Sequence, residues 1–118
     1  MKFSLCMIVK NEEAVLNRCL ESMASAMDEI IIVDTGSTDA TKKIAAAYTD
    51  QIYDFAWTGN FAEARNYAAS KATGDYIYTA DADEYLEPEE LQKLLQLKKV
   101  LLLSLIHISE PTRRVVIS

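Results

Sequence analysis

Apolar runs and amphipathic stretches alternate along this chain. Phe3 to Val9 is a continuous apolar run of the length of one buried strand. Glu12 to Ser25 follows, with Val15, Leu16, Cys19, Leu20 and Met23 at helical spacing and Glu12, Glu13, Asn17, Arg18 and Glu21 opposite. Glu29 to Asp34 holds Ile30-Ile31-Ile32-Val33, a β-branched run that predicts a second strand. Thr35-Gly36-Ser37 reads as a turn, Thr38 to Tyr48 as a helix with Ile44, Ala45 and Tyr48 inward, and Gln51 to Phe55 as a short strand. Asn60 and Glu63 have the spacing of a helix-capping pair, and Phe61, Ala64, Ala68 and Ala72 form the apolar stripe behind them. Gly74 is expected to end that helix as a C′ glycine. Asp75 to Ala80 predicts a fourth strand, and Pro88 opens a last helix carrying Leu91, Leu94, Leu95 and Lys98. The order βαβαβαβα predicts an α/β fold with a mostly parallel sheet.

Composition narrows the picture. The chain has 118 residues, half of them hydrophobic and a quarter charged, as in one globular domain. Its net charge of −6 argues against nucleic acid as a partner, because a polyanion needs a basic face. A nucleotide stays open, since a metal ion can supply local positive charge. No stretch reaches the ~20 apolar residues of a membrane span. The brief apolar start runs into Lys10-Asn11-Glu12-Glu13 without a cleavage-type ending, so a cytoplasmic protein is expected. Cys6 and Cys19 read as buried free thiols.

Candidate chemistry gathers at strand exits, where open α/β sheets bind ligands. The first strand exits into Lys10-Asn11-Glu12-Glu13, the second into Asp34-Thr35-Gly36-Ser37-Thr38-Asp39, the fourth into Asp81-Ala82-Asp83-Glu84. Extended backbone at Asp81-Ala82-Asp83 would turn both acids to one face, where a hard cation such as Mg²⁺ or Mn²⁺ relieves their repulsion and phosphate oxygens complete its shell. Asp34, closing an apolar strand, can accept hydrogen bonds from a base or ribose; Gly36 supplies the turn. Ser37 or Thr38 can cap the next helix, and Asp39 suits its positive end. Arg65 fits a solvated helix face or a base edge or phosphate, and Trp57 reads as a cover over the core.

Taken together, Ser4–Glu13, Glu29–Asp39, Ala64-Arg65-Asn66, Ala72–Asp75 and Asp81–Glu84 resemble the family 2 glycosyltransferases, in particular the bacterial branch often fused to tetratricopeptide repeats. The resemblance spans about residues 2 to 100. It implies the nucleotide-binding part of a GT-A (Rossmann-like) domain, a nucleotide-sugar donor such as a UDP-sugar, a divalent metal (Mn²⁺ or Mg²⁺) and transfer with inversion. By the family pattern Asp34 meets the nucleobase with Asn11 and Glu12 nearby, Arg65 contacts the nucleotide, Asp81 meets ribose or metal, and Asp83 binds the metal. The family's acceptor half, with its general base, has no counterpart here, so no catalytic base is assigned and this stretch alone is expected to be inactive. Binding of nucleotide without transfer is the alternative.

Two hydrolase readings compete. Asp34-Thr35-Gly36 matches the acid signature of aspartic proteases, which would demand an all-β architecture. Asp81-x-Asp83 resembles a phosphatase nucleophile motif, but it comes late in the chain and Tyr85 follows it. Leu105 to Arg113 resembles translated sequencing-adapter DNA. Residues 1–103 are therefore expected to be native domain and 104–118 a non-native or disordered tail, its His107 without catalytic role.

Overall fold

The computed structural model of the chain describes residues 2–104 and 115–117. Its strands are β1 (Phe3–Val9), β2 (Glu29–Asp34), β3 (Ile52–Asp54), β4 (Tyr76–Thr79) and β5 (Val115–Ile117). The helices are α1 (Leu16–Met23), α2 (Thr41–Ala46), α3 (Phe61–Lys71) and α4 (Pro88–Ser104). The strands form one sheet in the order β3-β2-β1-β4-β5, every pairing parallel. That is the α/β layer predicted from the pattern, and it removes the all-β architecture that an aspartic protease would require. The foreign-tail expectation for 104–118 falls largely outside the described residues; within them Ser104 closes α4 and 115–117 pair with β4. Among the described residues no helix is long and apolar enough to cross a membrane.

Parallel strands bury both faces, and here the faces are covered unequally. Leu5, Met7, Val9, Ile30 and Ile32 pack against Leu16, Cys19, Leu20 and Ala45 of α1 and α2, and α4 adds Leu94 beside Phe3 and Tyr76. On the opposite face Cys6, Ile31, Val33 and Ile77 pack with Ala68 and Ala72 of the α3 segment and with Ile8, Tyr53, Phe55, Tyr67 and Ala69. The alternation of the two sets along β1 and β2 follows from the period of two of a strand. Cys6 and Cys19 are both buried thiols, as expected, and no disulfide joins them.

Local differences from the pattern have physical causes. α1 starts at Leu16, not at Glu12, because Asn11 takes a left-handed φ of 53° and residues 12–15 form a turn, with the Val15 and Leu16 amides both donating to the Glu12 carbonyl. α2 starts at Thr41, because Thr38 is drawn to the neighbouring loop and Asp39 Oδ1 accepts from the Thr41 amide. Asn60 does cap α3, its Oδ1 accepting from the Ala62 amide at 3.0 Å. Glu63 instead accepts from the Thr58 hydroxyl at 2.7 Å, so the capping pair is not reciprocal. Phe61 points outward and is 45% exposed, leaving the inward stripe to Ala64, Ala68 and Ala72. Gly74 is not a left-handed cap. α3 ends at Ala72 in extended backbone, and Gly74 serves a close approach to β1.

Candidate nucleotide site at the carboxyl edge

Three loops meet at the carboxyl edge of the sheet, and two of them are fastened together. The Asn11 amide donates to Ser37 Oγ at 2.9 Å, and Asn11 Oδ1 accepts from the Thr38 amide at 2.8 Å. The Glu12 amide donates to Thr41 Oγ1 at 2.8 Å, and a Glu13 carboxylate oxygen accepts from the Ala40 amide at 2.9 Å. Asn11 and the Glu12 amide therefore serve the neighbouring loop. Asn11, expected near the nucleotide, ties its own loop to the Asp34 loop.

Asp34 lies inside this frame and is only 2% exposed. Its Oδ1 accepts from the Gly36 and Ser37 amides at 2.9 and 2.8 Å, a turn made possible by Gly36 at φ 117°. Its Oδ2 is buried and has no hydrogen-bond partner among the described residues. Burial pushes the carboxyl pKa up, but the Ser37 hydroxyl and the Ser37 and Gly36 amides outweigh it and hold Asp34 below the usual range. A buried, ionised oxygen without a donor is costly unless a ligand supplies one.

One strand away, an open cleft of about 390 Å³ lies on the thinly covered face. Arg65 and Phe61 of α3 form one wall, Thr79, Ala80, Asp81 and Glu84 at the exit of β4 the other, and Ile8 is part of the floor. Val9 pairs with Asp34 and Cys6 with Thr79, so Asp34 and Asp81 share the sheet's carboxyl edge with β1 between them. Two strand spacings put them roughly 10 Å apart across the sheet. The structure thus brings Arg65 and Asp81 into one cleft; Asp34, in register with Val9 of the α1/α2 face, shares the edge but is not among the lining residues. Asp83 does not line the cleft either.

The acidic turn departs from the extended form expected of it. The Glu84 amide donates to the Asp81 carbonyl at 3.0 Å, and Glu84 Oε1 accepts from the Asp81 amide at 3.0 Å, closing a tight turn. Ala82 points in while Asp81, Asp83 and Glu84 stay exposed. α1 supports the turn from below: Arg18 reaches the Asp83 carbonyl at 3.4 Å and sits over the Tyr85 ring at 4.2 Å, and the Leu86 amide donates to Ser22 Oγ at 2.9 Å. Burial first, then the Glu84 and Asp83 carboxylates, push the Cys19 thiol beneath it up to about 11, so it stays a thiol. Among the described residues no three His, Cys, Asp or Glu side chains converge as a self-sufficient metal site. Asp81 is exposed in the cleft, where a hard cation could take it as one oxygen ligand, while Asp83 is exposed on the same turn outside the lining.

The sequence pattern did not reveal Phe61 and Glu84 as cleft residues. Only the turn at 81–84 and the outward rotation at the start of α3 bring them there. Trp57, expected to cover the core, is 49% exposed and stands edge-on to Phe61, with 6.5 Å between ring centroids.

Comparison with known proteins bears on the family and the fold. The model of the family "Glycosyl transferase family 2" matches residues 4–100. A TPR repeat-containing protein of Synechococcus elongatus is 47% identical over 83 residues, which are 70% of this chain and 21% of that protein. An uncharacterized glycosyltransferase of Rickettsia typhi is 36% identical over 88 residues, 75% of this chain and 30% of that protein. Among solved structures, Staphylococcus aureus TarS 1–349 superimposes with a TM-score of 0.69 at 27% identity, covering 91% of this chain and 33% of that one. Glucosyl-3-phosphoglycerate synthase of Mycobacterium tuberculosis, solved with Mn²⁺ and UDP-glucose, gives 0.61 at 25% identity, covering 70% of this chain and 33% of that one. The chain spans from a fifth to a third of the length of these relatives.

Proposed function

The chain belongs to glycosyl transferase family 2, and on that premise we propose that its carboxyl edge binds the nucleoside diphosphate of a nucleotide-sugar donor, a UDP-sugar, together with Mn²⁺ or Mg²⁺. The observation that carries the reading is Asp34. Its buried Oδ2, without a donor at the mouth of a stapled turn, suits an N–H of a nucleobase. Arg65, the one cation lining the cleft among the described residues, suits the diphosphate. Asp81 and Asp83 would hold the divalent ion, which stabilises charge on a leaving diphosphate as a Lewis acid. The Asn11 staple fixes the base pocket before ligand arrives, so little ordering remains to oppose binding. A reducing cytoplasmic setting suits the two buried thiols.

Sugar transfer with inversion belongs to the whole enzyme in this reading, with the general base outside this stretch. Donor binding without transfer is therefore the expected behaviour of the 118-residue chain. Calorimetry with UDP, with and without Mn²⁺, tests the proposal. Binding should strengthen with Mn²⁺, Asp83→Ala should remove that dependence, and Asp34→Ala should weaken UDP at least about tenfold, the worth of a lost charge-assisted hydrogen bond. Identical titrations for the wild type and both variants would count against it.

A further inference from the structure

Phe61 is a large apolar ring left nearly half exposed at the first position of α3, where the pattern would have buried it. α3 joins parallel strands and so runs back across the sheet, which brings its first turn to the carboxyl edge. Phe61 and Arg65 stand four residues apart, one above the other on the helix, and both line the cleft. The Arg65 guanidinium carbon lies 5.0 Å from the Phe61 ring centroid, within cation–π range. Trp57 meets the same ring edge-on, and Glu63, the acid two residues before Arg65, is engaged by Thr58. Among the described residues Arg65 has no carboxylate partner, while the opposite wall carries Asp81 and Glu84.

We infer that Phe61 is a positioning residue: its ring, backed by Trp57, holds the Arg65 guanidinium against the cleft wall so that it meets a diphosphate already oriented. An arginine is otherwise a flexible side chain whose freedom must be given up on binding. The ring also leaves the guanidinium N–H groups free for a ligand, which a carboxylate partner would not. The inference rests on the donor reading above and deepens it by assigning the exposed aromatic pair a task in that site.

UDP and uridine titrations of the full chain, read by the fluorescence of Trp57, its sole tryptophan, test the inference. Phe61→Leu keeps apolar bulk but removes the π face, and circular dichroism checks that it folds. It should weaken UDP about three- to fivefold, as expected for one exposed cation–π contact, and leave uridine unchanged. Phe61→Tyr should restore wild-type affinity, and Phe61→Leu should cost nothing further in an Arg65→Ala background. Equal losses of UDP with and without Arg65, or an unchanged affinity in Phe61→Leu, would overturn the positioning role. If UDP still binds with sensitivity to Asp34→Ala in those cases, the donor reading stands alone. A folded wild type that binds no UDP overturns both.

Discussion

Gly74 lies where the start of β4 runs closest to β1. Its amide donates to Ser4 Oγ at 2.9 Å, and a methyl added there would meet that same oxygen, the Lys2 carbonyl at 2.8 Å and the Ser4 amide nitrogen at 3.0 Å. Two of these neighbours are backbone atoms, so the strand pair itself would have to move. Gly74→Ala should destabilise the chain by about 1–3 kcal/mol, the usual cost of overpacking, read as a lowered urea midpoint. Wild-type stability in that variant would show that the strands can separate cheaply. Asn11 acts at the same scale in the opposite sense. Its left-handed backbone and amide side chain are both needed to hold Ser37 and Thr38, so Asn11→Ala should loosen the base pocket and weaken UDP without touching the ligand. An unaltered UDP titration would deny the staple.

Between elements, the amino ends of three strands are tied by one carboxylate. Glu29 opens β2 and accepts from Ser4 Oγ of β1 at 2.8 Å, from the Thr73 amide at 2.7 Å and hydroxyl at 2.9 Å just before β4, and from Gln51 Nε2 at 3.2 Å ahead of β3. Burial alone would raise its pKa. Hydrogen bonds from the Thr73 amide, Ser4, Gln51 and the Thr73 hydroxyl outweigh it and bring Glu29 from 4.5 to about 2. The folded value lies below the unfolded one, so the stabilisation is complete above pH 4.5 and is lost as pH falls toward 2. It is on the order of 3 kcal/mol for a shift of that size. Glu29→Gln should be less stable than wild type at pH 7, with the two converging as acid protonates the native carboxylate. Denaturant midpoints at pH 7, 5 and 3 measure this; a gap that does not close would assign the effect to packing instead of charge.

For the molecule as a whole, the uneven covering of the sheet sets where a ligand can enter. Among the described residues α1, α2 and α4 close one face, while α3 is the helix on the other and leaves the cleft between Arg65 and Asp81 open. Donor binding as proposed would engage the exits of β2 and β4 and the start of α3 together, so it should stabilise the fold globally. With UDP and Mn²⁺ at a hundredfold excess over Kd, the gain is about 2.7 kcal/mol, visible as a higher thermal midpoint. A chelator should remove most of that rise. Melting curves that ignore the chelator would take the metal out of the proposed function.

The alternation of apolar runs and helical stripes was legible from the sequence, because burial imposes periods of two and 3.6 on any chain that folds. The five resembling segments also marked the family, and Asp34 stood out as an acid closing an apolar strand. What the pattern could not contain were relations between distant residues. Asn11 stood out at the exit of β1, but its hydrogen bonds to Ser37 and Thr38 could not be read from spacing, since those partners lie on another loop. Asp81 and Asp83 looked like one extended pair, yet Glu84 folds them into a turn. Glu29 looked like an ordinary strand opening and is a junction of three strands. Local spacing fixes which side of its own element a residue occupies. Only the packed sheet decides which residues of other elements stand opposite, and therefore which polar groups are satisfied and which, like Asp34 Oδ2, are buried without a partner among the described residues.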